Sequence, residues 1–229
     1  MLTLAFDSSS KTTSVALLKD EHIIYDVLIN VALNHSEVLM PAIDQACIRT
    51  GIKIDEIDLF ACTLGPGSFT GLRIGASTLK GFMLATGKPA VGISSLAALA
   101  LNTGVSSKII CSVMDAGRGQ VYVANFHYKD NRILMQIGED QVLNPLEIRQ
   151  DKDKEVIFVG DGAVKYSDVI RGNQSAAVVF PHQQYIRASS VGVLAIEKYK
   201  RNELLDAQTF VPLYLRSADA LVKKPLFNN

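Results

Sequence analysis

The chain has 229 residues, 48% of them apolar, and its 23 basic and 23 acidic residues cancel. This composition supports a substantial core, in one large domain or two small ones. A zero net charge argues against unaided binding of nucleic acid, which normally needs a basic face. The start of the chain lacks a basic region, and no apolar run approaches the ~18 residues of a membrane-spanning helix. We therefore expect a cytoplasmic protein with no signal peptide and no membrane contact.

The first half begins with a predicted β-meander. An apolar strand at Leu2–Phe6 ends at Asp7 and a Ser/Thr cluster, and strands at Ser14–Leu18 and His22–Leu28 follow. Helices and strands then alternate: a helix near 36–50, a strand near 59–63, a helix near 68–86, a strand near 90–93 and a helix near 95–101.

The second half repeats this order. A strand at Ile109–Met114 ends at Asp115, and strands near 120–128 and 132–137 follow a small loop. A strand near 156–159, a helix near 163–171, a strand near 177–180 and a helix near 189–201 complete it. The shared order predicts a duplicated α/β architecture of two mixed sheets flanked by helices.

A polar stretch at 102–108 predicts the boundary between the halves. The expected units are a first domain at 1–104, a smaller second domain at 105–205 and a C-terminal return segment and tail at 206–229. The charged stretch 144–155 is predicted to be a surface excursion, and the tail from Ala218 to be frayed.

The helix near 36–50 carries a wide apolar stripe that includes Leu39, Ile43 and Cys47. Asn34 and Glu37 fit a capping box, whereas Pro41 should kink the helix or mark its first turn. His35, at the entry of this helix, is interpreted as a capping or surface histidine, since no nucleophile for a catalytic base is evident nearby.

The segment Gly65–Gly71, Gly-Pro-Gly-Ser-Phe-Thr-Gly, opens the most informative helix. Gly71, Gly75, Thr78 and Phe82 share one face of it. Each interior glycine costs ~1 kcal/mol relative to alanine, so two of them four residues apart imply that another backbone comes close. The glycine face could pack on the helix with Leu39, on a partner, or on both. Phosphate binding at the helix start is a rival interpretation, but the Gly-Lys-Ser/Thr of a P-loop is missing.

Three tight loops could hold a nucleotide. Asp7 with Ser9, and Asp115 in the repeat, follow strands and precede hairpins, and the turn at Gly160 could approach an adenosine. Facing each other across a cleft, the two aspartate loops could hold a metal-bound phosphate tail; alternatively they are solvated strand ends. We treat Asp7, Ser9, Asp115 and Gly160 as weak, vestigial candidates.

Catalytic and metal sites are not predicted. The four histidines lack His-x-x-x-His spacing, and the three cysteines are far apart in apolar segments, which is typical of reduced buried thiols. There is no Gly-x-Ser-x-Gly elbow and no serine–lysine motif.

Several of these motifs, in this order, resemble the bacterial threonylcarbamoyladenosine biosynthesis family TsaB. The resemblance covers about residues 2–216 and rests on Asp7-Ser-Ser, the run Gly65–Gly75, Asp115-Ala-Gly-Arg with Val121-Tyr122, Gly160-Asp-Gly-Ala and Pro212-Leu-Tyr-Leu-Arg216. It implies the duplicated actin, Hsp70 and sugar-kinase-like (ribonuclease H-like) fold. It also implies a non-catalytic subunit of the complex that transfers threonylcarbamoyl to the adenosine beside the anticodon, in tRNAs reading codons that begin with A.

The resemblance further implies two partners, a homologous catalytic subunit, TsaD, and an ATPase subunit, TsaE. A homodimer through the same helices is an alternative, tRNA would be contacted indirectly, and ATP or ADP with Mg²⁺ would bind only within the complex. Asp161 stands where the superfamily's adenosine motif favours glycine, which weighs against independent use of ATP. The implied interface lies on the two first-domain helices, and its candidate residues are Leu39, Ile43, Cys47, Gly71, Ile74, Gly75, Thr78 and Phe82.

Two other functions stay open. An independent ATP-dependent phosphotransferase would use Asp7 and Asp115. A peptidase, suggested by a label that the catalytic paralogue has carried, lacks both metal ligands and a nucleophile constellation.

Overall fold

The computed structural model describes residues 1–31, 33–130, 133–148, 155–172 and 176–215. Ten strands and six α-helices are assigned within these ranges. The strands are β1 Leu2–Asp7, β2 Thr13–Lys19, β3 His22–Ile29, β4 Leu59–Gly65, β5 Ala90–Ser94, β6 Ile109–Gly117, β7 Gln120–Lys129, β8 Ile133–Leu143, β9 Val156–Val159 and β10 Ala176–Val178. The helices are α1 His35–Thr50, α2 Phe69–Thr86, α3 Ser95–Leu101, α4 Asp161–Lys165, α5 Ser167–Gly172 and α6 Ala188–Lys200.

The two halves form sheets of the same topology. The first sheet has the order β3-β2-β1-β4-β5 and the second the order β8-β7-β6-β9-β10. In each sheet the first three strands pair antiparallel and the last two extend the sheet in parallel. The predicted duplication of two mixed sheets is therefore confirmed.

Most predicted elements agree with the structure to within two residues, but three differ. The strand predicted at Ile109–Met114 continues to Gly117 in β6. The helix predicted near 163–171 is two short helices, because the chain bends at Tyr166, which caps α4. The strand predicted near 132–137 extends to Leu143 as the long edge strand β8. Arg132, residues 149–154 of the predicted surface excursion, Arg216 and the predicted frayed tail from Ala218 lie outside the described residues.

The two sheets share one apolar core because one helix from each half of the chain packs on the sheet of the other half. Helix α3, from the first half, packs on β6 and β7, whereas α6, from the second half, packs on β1 and β2. Buried residues of both sheets and both helices form a single continuous cluster. The predicted domain bounds remain a prediction, but α6 lies within 105–205 and packs on the first sheet.

Asn102, at the end of α3, is hydrogen-bonded to the segment that leads into α6. Its side-chain amide donates to the carbonyl oxygens of Tyr185, at 2.6 Å, and Gln183, at 3.3 Å. Its side-chain oxygen accepts a hydrogen bond from the Ser190 hydroxyl at 2.8 Å. One side chain at the end of α3 therefore fixes the segment that leads into α6.

Residues 204–215, here called the C-terminal strap, return across the first sheet. The Leu205 amide donates to the Ala90 carbonyl at 2.9 Å, and the Leu213 amide donates to the Leu64 carbonyl at 2.7 Å. Phe210 packs against the core beneath α2. The strap therefore ends beside the start of α2. Among the described residues, none of the helices combines the length and apolarity needed to cross a membrane.

Candidate functional site

The N-terminus of α1 is built as its sequence predicts. The Glu37 carboxylate accepts hydrogen bonds from the Asn34 backbone amide at 3.0 Å and from the Asn34 side chain at 2.9 Å. The helix runs on through Pro41 and ends at Gly51, which adopts a left-handed conformation with φ of 72°. This rigid helix presents one face to the core and another to solvent beside α2.

The glycines of the 65–71 segment let α2 approach the loop between β1 and β2. A Cβ on Gly67 or Gly71 would collide with the carbonyl oxygens of Ser9 and Ser8, respectively. The Ser68 amide donates to the Ser9 carbonyl at 2.7 Å, and the Ser8 hydroxyl donates to the Gly71 carbonyl at 2.9 Å. The close backbone neighbour implied by the sequence is therefore a loop of the same chain.

This packing differs from the expectation that the glycine face packs on the helix with Leu39, on a partner, or on both. Gly71 and Gly75 are buried against Ser8, and Leu39 and Ile43 are each 1% exposed in the core beneath α1. These four residues support the two helices from inside, and only Leu39 also borders the space between the helices. In this conformation they offer a partner subunit almost no surface, and their predicted contact with one stays a prediction.

The other four predicted interface residues are half-buried: Cys47, Ile74, Thr78 and Phe82. The Phe82 ring stacks on Phe60 at 5.0 Å between centroids, so much of its surface also faces the core. Ile74 and Thr78 line the surface between α1 and α2. Of the predicted set, these two lie closest to what a partner could touch.

A groove of ≈490 Å³ runs between α1 and α2. Met40 is 48% exposed at its α1 side, and Arg73 and Ser77 are exposed at its α2 side. We call this surface the α1–α2 groove. Its lining residues are His35, Ser36, Leu39, Met40, Phe69, Thr70, Arg73, Ile74, Ser77 and Thr78.

Three side chains stack where the groove meets the C-terminal strap. The Arg73 guanidinium carbon lies 3.9 Å from the centroid of the Phe69 ring. The Tyr214 ring packs on Phe69 with centroids 4.9 Å apart and a tilt of 43°. Arg73 and Phe69 of α2 and Tyr214 of the strap thus form one cluster of contacts.

A larger cleft of ≈1150 Å³ opens between the two sheets and is continuous with the groove. Both spaces are lined by His35, Ser36, Phe69, Thr70 and Ile74. His35, the first residue of α1, shares a hydrogen bond of 2.8 Å between its Nδ1 and the Thr13 hydroxyl. This contact fits the structural role expected for His35.

Asp7, a predicted nucleotide-loop residue, is completely buried. Its Oδ1 accepts hydrogen bonds from the Ser9 hydroxyl at 2.6 Å, the Ser9 amide at 3.1 Å and the Thr63 hydroxyl at 2.5 Å. Its Oδ2 has no partner among the described residues. Burial raises the pKa of this carboxyl above its usual value, against the lowering effect of these hydrogen bonds. Asp7 and Ser9 thus hold the loop together.

Asp115 reaches the cleft, as predicted, within a charged cluster. Its Oδ2 accepts a hydrogen bond from the Lys165 ammonium at 2.8 Å, and its backbone amide donates to the Asp161 carboxylate at 3.0 Å. Burial raises the pKa of Asp161, and the charge of Lys11 opposes that shift. Asp115 is therefore ion-paired with Lys165 at the edge of the cleft.

Gly160 packs closely against β6 and the side chain of Leu99. A Cβ there would collide with the Val113 carbonyl and would lie 2.7 Å from the Leu99 side chain. Its amide donates to the Gln184 side-chain oxygen at 2.5 Å. A cavity of ≈300 Å³ lies beside this turn, and its lining includes Asp161, Val164, Gln184 and Tyr185.

The loops that were predicted to hold a nucleotide already form hydrogen bonds within the protein. The amide of Ser68 and that of Gly160 are already paired within the protein. Within the ranges that the structure describes, no three His, Cys, Asp or Glu residues cluster as metal ligands would.

No functional or structural role was predicted for Met40, Tyr214 or Gln184. An apolar residue beside a predicted stripe, such as Met40, is a detectable signal. The contacts of Tyr214 and Gln184 depend on long-range packing, which no local pattern reveals.

The two sheets of identical order, flanked by helices around a cleft, define a protein of the actin, Hsp70 and sugar-kinase class. The structure of (R)-2-hydroxyglutaryl-CoA dehydratase component A from Acidaminococcus fermentans shares this fold, with a TM-score of 0.51 and 15% identity over 87% of this chain and 99% of that chain. YeaZ from Pseudomonas aeruginosa matches better, with a TM-score of 0.82 and 24% identity over 93% of this chain and 99% of that chain.

Sequence comparison narrows the class to one family. The family model of TsaD, tRNA N6-adenosine threonylcarbamoyltransferase, matches residues 29–224. The tRNA threonylcarbamoyladenosine biosynthesis protein TsaB of Bacillus subtilis (strain 168) is 32% identical over 228 residues, which are 97% of each chain. TsaB of Escherichia coli (strain K12) is 26% identical over 98% of this chain and 99% of its own. The chain belongs to the TsaB family, and the predicted family membership is confirmed.

Proposed function

We propose that this chain is a non-catalytic, activating subunit for threonylcarbamoyladenosine modification of tRNA, and that it binds a TsaD-type catalytic subunit through the α1–α2 groove. The family name and the match to the TsaD model support the pathway. The single observation that carries the proposed role is the groove, which exposes Met40 beside Ile74 and Thr78 on two rigid helices.

The groove has the chemistry of a protein interface. An interface core is apolar and depleted in charge, with Met, Arg and aromatic residues enriched. Here Met40, Ile74 and Phe69 form the apolar part, and among the described residues that line the groove Arg73 alone is charged. Both helices are anchored by buried side chains beneath them, so little ordering is required on binding.

The internal pairing of the predicted nucleotide-loop residues supports a non-catalytic role. Asp7 is buried, Asp115 is paired with Lys165, and Gly160 is covered by Val113 and Gln184. An independent phosphotransferase would need these groups free to hold phosphate and Mg²⁺. We propose that ATP or ADP with Mg²⁺ binds only within the assembled complex, and that tRNA is contacted mainly by other subunits.

The remaining parts of the proposal are the other partners and the location. We propose a TsaE-type ATPase as the third subunit, a homodimer through the same helices as a competing state, and residence in the cytoplasm. The neutral charge of the chain supports an indirect role toward tRNA.

The test is complex formation by groove variants. Gly75→Arg would be a poor probe, because a Cβ at Gly75 already lies 2.9 Å from the Ser8 hydroxyl of the same chain. Met40→Arg instead places a long cation in the groove without disturbing the core. Binding to the TsaD-type subunit, measured by isothermal titration calorimetry, should weaken by about 100-fold, the scale of an interface hot spot.

Gln45→Arg is the matched control, since Gln45 is exposed on α1 away from the groove. It should bind within about 2-fold of the wild type, as surface substitutions usually do. Equal affinity of Met40→Arg and the wild type would refute the groove as the interface. ATP hydrolysis by the isolated chain that is lost on Asp7→Asn would instead support the phosphotransferase.

A further inference from the structure

One cation in the α1–α2 groove, Arg73, is exposed to solvent and rests on an aromatic ring. Arg73 is exposed on α2, and no carboxylate among the described residues lies within ion-pair range of its guanidinium. The guanidinium rests on the Phe69 ring at 3.9 Å. A stacked guanidinium keeps the N–H donors in its plane available for a bidentate bond to a carboxylate.

The Phe69 ring also contacts the C-terminal strap. Tyr214 packs on Phe69 at 4.9 Å, and the strap is pinned nearby by the hydrogen bond from the Leu213 amide to the Leu64 carbonyl. A collision between a Cβ on Gly65 and the Leu213 carbonyl shows how closely strap and loop meet. The ring beneath Arg73 is therefore held by two segments distant in sequence.

Preorganisation of this kind concentrates binding energy. Arg and Tyr are enriched among residues whose loss weakens protein complexes most, and a side chain already held in its bound rotamer loses less entropy on association. Helix α2 carries Arg73 and Lys80 and no acidic residue. A partner surface that complements it must therefore be acidic rather than basic.

We propose that Arg73, held by Phe69 and Tyr214, is the specificity-determining contact of the groove and binds a carboxylate on the TsaD-type partner. This inference rests on the proposed function, because it names the chemistry that the partner presents to the same groove.

Lys80 provides a matched control on the same helix. Its ammonium also lies over an aromatic ring, that of Phe210 on the strap, at 5.1 Å, but Lys80 does not line the groove. Arg73→Gln and Lys80→Gln each remove one positive charge and one cation–π contact from α2. A general effect of charge on association would alter both variants equally.

The experiment measures affinity for the TsaD-type subunit by calorimetry at low and high salt. Arg73→Gln should weaken binding by about 30-fold, Arg73→Lys by about 10-fold because the planar fork is lost, and Lys80→Gln by less than about 2-fold. Tyr214→Ala should weaken binding by about 5-fold by releasing Phe69. The salt dependence of binding should shrink in Arg73→Gln, since one ion pair is missing.

Several outcomes would overturn the inference. Equal losses for Arg73→Gln and Lys80→Gln, or full affinity of Arg73→Gln while Met40→Arg fails to bind, would refute it and leave the proposed function intact. An effect of Arg73→Gln on self-association alone, seen by sedimentation, would assign the contact to a second copy of the chain and also refute it. Absence of binding by the wild type would refute the proposed function itself. Unchanged thermal unfolding of Arg73→Gln would show that the loss is not a folding defect.

Discussion

Two glycines of α2 should respond in opposite directions to the same substitution. A Cβ on Gly71 would collide with the Ser8 carbonyl oxygen and approach the Ser8 carbonyl carbon at 3.1 Å and His35 at 3.3 Å. Gly81, ten residues along the same helix, has no such neighbour within 4 Å in the part of the chain that the structure describes. Gly71→Ala should therefore destabilise the chain, whereas Gly81→Ala should stabilise it.

The magnitudes follow from competing effects. Alanine gains ~1 kcal/mol over glycine inside a helix, and this is the whole expected effect at Gly81. At Gly71 the same gain is opposed by overpacking of about 3 kcal/mol against rigid backbone and by about 1 kcal/mol for the strained hydrogen bond from Ser8. We expect a net loss of about 3 kcal/mol for Gly71→Ala.

The assay is urea unfolding followed by circular dichroism, supported by thermal melts. For a chain of this size, Gly81→Ala should raise Tm by about 2–4 °C and Gly71→Ala should lower it by about 6–12 °C. The reasoning would be refuted if Gly71→Ala matched or exceeded the wild type in stability, because the close approach to Ser8 would then not exist.

Three further predictions concern the interior and the thiols. Burial raises the pKa of the Asp7 carboxyl, so the folded chain retains a proton that the unfolded chain releases. The stability of the wild type relative to Asp7→Asn, measured by urea unfolding, should therefore fall as the pH rises above the usual carboxyl pKa of 3.8. A rise in this relative stability would contradict the burial of Asp7. Asn102→Ala removes three side-chain hydrogen bonds and should cost about 1–3 kcal/mol of unfolding free energy, whereas a change near zero would show that the tie is dispensable. Ellman's reagent should react with half-buried Cys47 in the folded chain, and with buried Cys62 and Cys111 only after unfolding. Binding of the TsaD-type subunit should slow the reaction of Cys47. Fast reaction of all three thiols in the folded chain would contradict the packing.

Local patterns predicted most of the secondary structure, because apolar runs bounded by Gly, Asp and Asn punctuate this chain clearly. The repeated order of elements also predicted that the two halves form matching mixed sheets. Local patterns did not reveal the exchange of α3 and α6 between the sheets. A helix's apolar stripe shows that it packs on something, but not on which of two sheets.

The site was predicted less well for the same reason. The spacing of Gly71 and Gly75 correctly indicated a close backbone approach, but only the structure shows that the neighbour is Ser8 of the same chain. Asp7 has the position expected of a ligand-binding residue at a strand end, yet its burial depends on α2 covering the loop. The role of the groove in partner binding stays a prediction.

The central claim is that the α1–α2 groove makes this chain an activating subunit. The most direct measurement is threonylcarbamoyladenosine formation on tRNA by reconstituted TsaD-type and TsaE-type subunits with the wild type, Met40→Arg or Gln45→Arg. We expect threonylcarbamoyladenosine formation with the wild type and with Gln45→Arg, and almost none with Met40→Arg. This chain alone should form none. Full activity with Met40→Arg, or modification by the isolated chain, would contradict it.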